Sequence, residues 1–193
     1  SYSYKGGELN KYTLPFIDDA SVVNSIICAT IALKLGLSAA EIAEGMKALE
    51  PVAMRLEVKE GNHGCTLIND SYNSDINSLD IALDFMNRRP DHKGRRRTLI
   101  LSDMFQSGME PKALYKEVGD LARKRGVVKF IGIGPAIMEN GDMIQISEKY
   151  FFESVEEFIH SKVFHSLRDE VILLKGARQF GFDQITELLV HKV

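Results

Sequence analysis

Residues 65–86, CTLINDSYNSDINSLDIALDFM, pass from an apolar run, through a cluster of hydrogen-bonding side chains, into an amphipathic helix. Residues 65–69 read as a buried strand. After Asp75, the residues Ile76, Leu79, Leu83 and Met86 recur at the spacing that places them on one helical face. The same grammar repeats downstream. Strand-like runs fall at 55–59, 65–69, 98–101, 127–133, 143–146 and 171–174, with helical runs between most of them. The helix after Pro111 aligns Leu114, Val118, Leu121 and Ala122, and Pro111 suits its first turn. Strands alternating with helices of this length predict an α/β fold, a mainly parallel sheet with helices on both faces.

Upstream the pattern is different. Residues 20–35 carry Val23, Ile26, Ile27, Thr30 and Ile31 at helical spacing and are apolar on most sides, which predicts a buried helix. Gly36 ends it, and Ser38 with Glu41 forms a capping box for a second helix reaching about Leu49, where Pro51 stops it. Residues 1–50 therefore read as a short helical tail and 51–193 as the α/β domain.

A chain of 193 residues, 45% hydrophobic and 26% charged, is large enough to bury a core. Its formal charge of -3 provides no general attraction to nucleic acid or anionic lipid, so neither is expected as a partner. No apolar run approaches the ~20 residues that span a bilayer, and the polar start does not read as a signal peptide. Cys28 and Cys65 lie in apolar stretches without a C-x-x-C partner and read as buried thiols of a reducing compartment, hence a cytoplasmic protein.

Sheets of this kind bind ligands at the carboxyl ends of their strands. In NDSYNSDINS, residues 69–78, Asp75 or Ser74 is sufficient for a helix cap, leaving Asp70, Ser71, Tyr72 and Asn73 as a turn or as a ligand site. In LSDMFQSGMEP, residues 101–111, Asp103 is placed to orient a hydroxyl, an amine or a metal-bound water, or to serve as an ordinary turn acid. In LLKGARQFGF, residues 173–182, Lys175 and Arg178 flank Gly176 where cations and free helix N–H groups converge, which suits anions; pairing with Asp or Glu is the competing role. The basic run KGRRR at 93–97 reads as a solvated loop, with a phosphate or partner contact as the alternative. There is no G-x-x-x-x-G-K-[ST] phosphate loop, and GNHGC at 61–65 does not supply G-x-G-x-x-G. The histidines at 63, 92, 160, 165 and 191 lack metal-site spacing, so no metal site is assigned.

Together these pieces resemble the Mur ligase family of peptidoglycan synthesis. MRLE at 54–57 followed by INDSYNSDINSLDIAL at 68–83 is similar to the opening of that family's Rossmann-like C-terminal domain, an R-L-E strand and then D-S-Y-N-A-N-P. LSDM at 101–104 resembles L-G-D-M, and LKGAR at 174–178 resembles K-G-S-R. Upstream, ASVVNSIICATIALKLG at 20–36 is similar to the helix that closes the central domain, H-N-x-x-N-x-x-A-A, with Asn24 at the second asparagine. Ser21, Asp75 with Ile76, Ser102 and Ala177 depart from these patterns. With the helical ending ITELLVHKV, they look most like the bifunctional form that continues into an alanine racemase.

The resemblance implies that 1–50 is the tail of a central ATP-binding domain and 51–193 the C-terminal domain of a ligase joining D-alanyl-D-alanine to UDP-N-acetylmuramoyl-tripeptide. ATP and Mg2+ would be bound mainly by the rest of the ligase chain, and these residues would carry no catalysis in isolation. It places Asn24 near the adenine, Arg55 near the phosphates and Asp70 near the ribose. Tyr72 and Asn73, at the junction with the central domain, join Asp103, Lys175, Arg178 and Phe180 in the substrate-binding set. An α/β nucleotide-binding or protein-interaction module without ligase activity is the alternative.

Overall fold

The computed structural model describes residues 11–16, 19–50, 54–89, 94–105 and 107–190, and the chain divides into two compact units, 1–52 and 53–193. In the first unit, α1 (Asp19–Lys34) ends as expected. Gly36 takes φ 92°, and the Leu37 N–H reaches back to the Ala32 carbonyl at 3.1 Å, a Schellman closure. The capping box of α2 (Ala39–Lys47) is present, with the Ser38 N–H donating to the Glu41 carboxylate at 2.8 Å and the Glu41 N–H to Ser38 Oγ at 3.3 Å. Ala29, Ile42 and Met46 form a small core.

Two expectations fail in this unit. Val22, Val23, Ile26, Ile27 and Ile31 of α1 are exposed, not buried: among the described residues α1 buries Ala29 against Ile42 and Met46 of α2, and Ser25 meets the Tyr12 hydroxyl. Cys28 is likewise exposed, whereas Cys65 is buried as expected.

The second unit is a six-stranded sheet. In chain order it contains β1 (Glu57–Glu60), β2 (Thr66–Asp70), α3 (Ile76–Arg88), β3 (Arg96–Ser102), α4 (Pro111–Lys124), β4 (Lys129–Ile133) and α5 (Pro135–Glu139). β5 (Glu148–Phe152), α6 (Val155–Ile159), α7 (Lys162–His165), β6 (Glu170–Lys175) and α8 (Asp183–Leu189) complete it. The strand order is β1-β2-β6-β3-β4-β5; β1 runs antiparallel to β2 and every other pair is parallel. The last parallel strand thus inserts between the first two.

Strands buried on both faces need apolar residues at successive positions, and each central strand divides them between two layers. Ile68, Leu99, Leu101, Phe130, Val171 and Leu173 face the core built with α3 and α4, including Leu79, Leu83, Met86, Leu114 and Val118. Leu67, Ile100, Ile131, Ile172 and Leu174 face the opposite core, with Phe158, Phe164, Ile185 and Leu189. Each such side chain contributes about 1.5–3 kcal/mol on burial. Helices therefore cover both faces of the sheet, as the alternation predicts.

The expected strand at 143–146 is a misassignment. Gly141–Met143 forms a 3-10 turn, and Ile144 and Ile146 are buried beside α4 without joining the sheet; the strand lies later, at β5. β5 is an edge strand reading EKYFF, and its charged half-buried start hides it from an apolar-run search. The strand expected at 55–59 begins only at Glu57.

Arg95, Arg96 and Arg97 of the basic run meet their partners at the amino ends of the strands, Arg96 on the surface. Arg95 donates to Thr66 Oγ1 and to the Gly64 and Glu170 carbonyls, Arg96 pairs with Glu148, and Arg97 donates to Asn87 Oδ1 at 2.9 Å. Below them the buried Glu170 takes both the Lys129 ammonium and the Thr98 hydroxyl.

Candidate functional site

The register gathers the chemistry at the opposite edge. Asp70 at the end of β2 stands beside Lys175 at the end of β6, Lys175 beside Leu101 of β3, and Ser102 beside Ile133 of β4. Asp70, Asp103 and Lys175 thus lie at the carboxyl edge of the sheet.

Asp70 and Lys175 form a buried ion pair, Nζ to Oδ2 2.9 Å. The Lys175 ammonium also donates to the carbonyls of Asn73 and Asp70, and Asp70 Oδ1 accepts the Leu56 N–H at 3.3 Å. Burial pushes the Asp70 carboxyl above its ordinary range, with the Lys175 charge and hydrogen bond pulling the other way. The polar loop after β2 then divides its work. Ser71 Oγ donates to Asn69 Oδ1 at 2.6 Å, Asp75 caps α3 in a capping box with Ser78, and the Tyr72 and Asn73 side chains remain exposed.

Arg55 sits between Met54 (φ 61°) and Leu56 (φ 48°), both in the left-handed region that non-glycine residues avoid at a cost of about 1–2 kcal/mol. Its exposed guanidinium lies over the Tyr72 ring, 4.5 Å from the centroid. Three further ties join the loops. The Arg178 N–H donates to the Tyr72 carbonyl at 3.3 Å, the Ala177 N–H donates to Ser102 Oγ at 3.0 Å, and the Phe105 and Phe180 rings stack at 5.8 Å. The hydroxyl missing at Ala177 is thus matched by one at Ser102, directly against its N–H.

Asp103 has a different place. It is buried, and its carboxylate accepts the N–H groups of Ala136 (3.1 Å) and Ile137 (2.7 Å) and the Tyr115 hydroxyl (3.4 Å). It serves the first turn of α5 from another loop. Gly134, at φ 133°, makes room for it, since a Cβ there would stand 2.5 Å from the carboxylate carbon. Asn24 is exposed on α1, in the other unit. Phe105 and Ser102 were not expected at the site. An aromatic residue in a polar loop is the one signal that marks Phe105, while its stacking partner is far away in sequence.

Among the groups that reach solvent at this edge are two guanidiniums, Arg55 and Arg178, with the rings of Tyr72 and Phe105 and the half-buried Phe180, set on a buried Asp70–Lys175 pair. Such a rim fits an anionic ligand with flat or apolar parts. Fold and rim together define a Rossmann-like α/β domain with a basic and aromatic rim at the carboxyl edge of its sheet.

Comparison with known proteins narrows this class. The Mur ligase, glutamate ligase domain matches residues 54–178, and the chain belongs to the Mur ligase family. Among relatives, the UDP-N-acetylmuramoyl-tripeptide--D-alanyl-D-alanine ligase of Escherichia coli is 23% identical over 177 residues, covering 91% of this chain and 38% of its own length. The corresponding ligase of Buchnera aphidicola from Acyrthosiphon pisum is 26% identical over 190 residues, covering 96% of this chain and 40% of its own. A crystal structure of MurF from Acinetobacter baumannii superposes with TM-score 0.75 at 20% identity, over 92% of this chain and 39% of that one. The chain therefore spans about two fifths of the length of the relatives it matches.

Proposed function

We propose that this chain is the back end of an ATP-dependent ligase that joins D-alanyl-D-alanine to UDP-N-acetylmuramoyl-tripeptide, with 1–50 the tail of its central ATP-binding domain and 51–193 its C-terminal domain. The carrying observation is the cross-tied rim at the carboxyl edge of the sheet, which offers Arg55 and Arg178 to anionic groups. The names of the relatives supply the substrates. The exposed apolar side of α1 supports the assignment of 1–50 to a larger domain, because such a helix needs cover on more than one side.

In such a ligase ATP phosphorylates the terminal carboxylate of the tripeptide and leaves as ADP, and the amine of the dipeptide then attacks the acyl phosphate, forming the amide and releasing inorganic phosphate and a proton. This domain acts as a lid. Arg55 supplies positive charge to the phosphates, Asp70 accepts from a ribose hydroxyl, and Asn24 lies near the adenine. Arg178 and Phe180 gather the dipeptide, the guanidinium matching its carboxylate. Mg2+ is assigned mainly to the remainder of the ligase, and no step is routed through it here.

The test is steady-state ligation by the parental enzyme, whose open reading frame also reveals whether a racemase follows. Ligation of the dipeptide to the tripeptide, with ADP release, is expected from the full-length protein and from neither activity assay of the 193 residues alone. ADP release by the pure 193-residue chain, or no ligation by the parent, rejects the reading.

A further inference from the structure

We infer that Lys175 is a positioning residue, which holds the nucleotide-side loop 70–74 in register with the amine-side loop 175–180 and touches neither substrate. The inference rests on the ligase reading for what the two loops bind, but its geometry stands by itself. An ammonium has three protons to donate and accepts nothing. Lys175 is 1% exposed, and its Nζ faces three acceptors: Asp70 Oδ2 at 2.9 Å, the Asp70 carbonyl at 3.5 Å and the Asn73 carbonyl. Binding an incoming carboxylate or phosphate would require one of these to be surrendered in a buried site, where an unmatched polar group is costly. From the start of one loop, then, Lys175 grips the other at both its first and fourth residues.

Two main-chain contacts extend this grip. The Arg178 N–H meets the Tyr72 carbonyl, and the Ala177 N–H meets Ser102 Oγ, so loop 175–180 is tied on both sides. Arg178 is exposed, and among the described residues its guanidinium meets no partner, so it is the cation of this loop left to meet a ligand. Lys175 is the one committed to the fold.

The test has two arms. In the 193-residue chain, amide hydrogen exchange is followed by mass spectrometry for wild type, Lys175→Arg, Lys175→Met and the double variant Asp70→Asn with Lys175→Met. The double variant leaves no unpaired buried charge and so guards against simple misfolding. Exchange at 71–75 is expected to rise about tenfold relative to β3 and β4 in both methionine variants, with Lys175→Arg in between. Loop exchange that is unchanged, or faster only in proportion to the strands, overturns the inference.

In the full-length ligase, Lys175→Met is expected to raise KM for ATP and for the dipeptide together, with partial recovery of both in Lys175→Arg. Arg178→Ala should raise the dipeptide KM alone. A Lys175→Met effect confined to the dipeptide KM, or absent from both, overturns positioning. Should the unsubstituted ligase form no product, the functional reading fails, and the exchange result still decides whether Lys175 holds the loops.

Discussion

Arg55 and Asp70 differ in what their removal exposes. Arg55 is exposed and contributes to the fold chiefly through its contact with the Tyr72 ring, worth about 0.5–1 kcal/mol. Arg55→Ala in the full-length ligase is therefore expected to leave the thermal melt nearly unchanged. Losing a charge that acts on the phosphates in the reacting state should cost roughly 2–4 kcal/mol, a 30- to 1000-fold drop in turnover. Near-normal turnover with an intact melt would remove Arg55 from the site. Asp70→Ala leaves the Lys175 ammonium buried without its counter-ion and should destabilise the domain by about 3–5 kcal/mol, measured by urea unfolding. The family resemblance implies separate ligand contacts for Asp70 and Lys175. Their pairing across 105 positions appears only when β2 and β6 lie side by side. The thiols differ as well. Burial pushes the Cys65 thiol up, so a thiol reagent should label Cys28 in the folded chain and Cys65 only after denaturation.

The elements meet at Asp103, which joins β3, α4 and α5. Asp103→Ala strips two N–H groups of α5 and the Tyr115 hydroxyl of their acceptor, and a loss of about 2–3 kcal/mol is expected on urea unfolding. Gly134→Ala should destabilise too, by driving a methyl group into the same carboxylate at a positive φ. Tyr115 adds a pH signature. Burial first, then the Asp103 charge, raises its phenol well above the ordinary value, so the folded state favours the protonated form. Its contribution is complete below the unfolded value of about 10 and is lost as pH rises above it. Alkaline titration should show phenolate absorbance from Tyr115 appearing together with unfolding; ionisation in the native chain would contradict its burial. At this scale the strong periods were legible: α3 and α4 follow their apolar faces, and β2, β3, β4 and β6 their apolar runs. β5 was not, because an edge strand needs only one partner and tolerates the charges of EKYFF.

At the scale of the molecule, the two cores of the sheet are built within residues 53–193. A chain starting at residue 53 is expected to retain the main melting transition of the 193-residue chain; its loss would mean that the first unit supports the sheet. The exposed Val23, Ile27 and Ile31 of α1 form an apolar stripe of the kind that drives association. The 193-residue chain should accordingly bind a hydrophobic dye, and replacing these three by Lys should remove most of that binding. A dye signal unaffected by the replacements would place the apolar surface elsewhere.

Sequence alone determined the alternation of strand and helix, the capping of α2 and α3, the parallel sheet and the edge where Asp70, Asp103 and Lys175 gather. These features are local: they depend on period, turn chemistry and the rule that parallel strands carry ligands at their carboxyl ends. Tertiary structure alone decided what each polar group does there. Lys175 is drawn into a pair with Asp70, Asp103 is consumed by α5, and Arg95, Arg96 and Arg97 take partners at the amino ends of the strands. The physical reason is that a charge in a parallel sheet's edge takes whatever partner the strand order supplies, and β6, the last strand in the chain, lies between β2 and β3, far away in sequence.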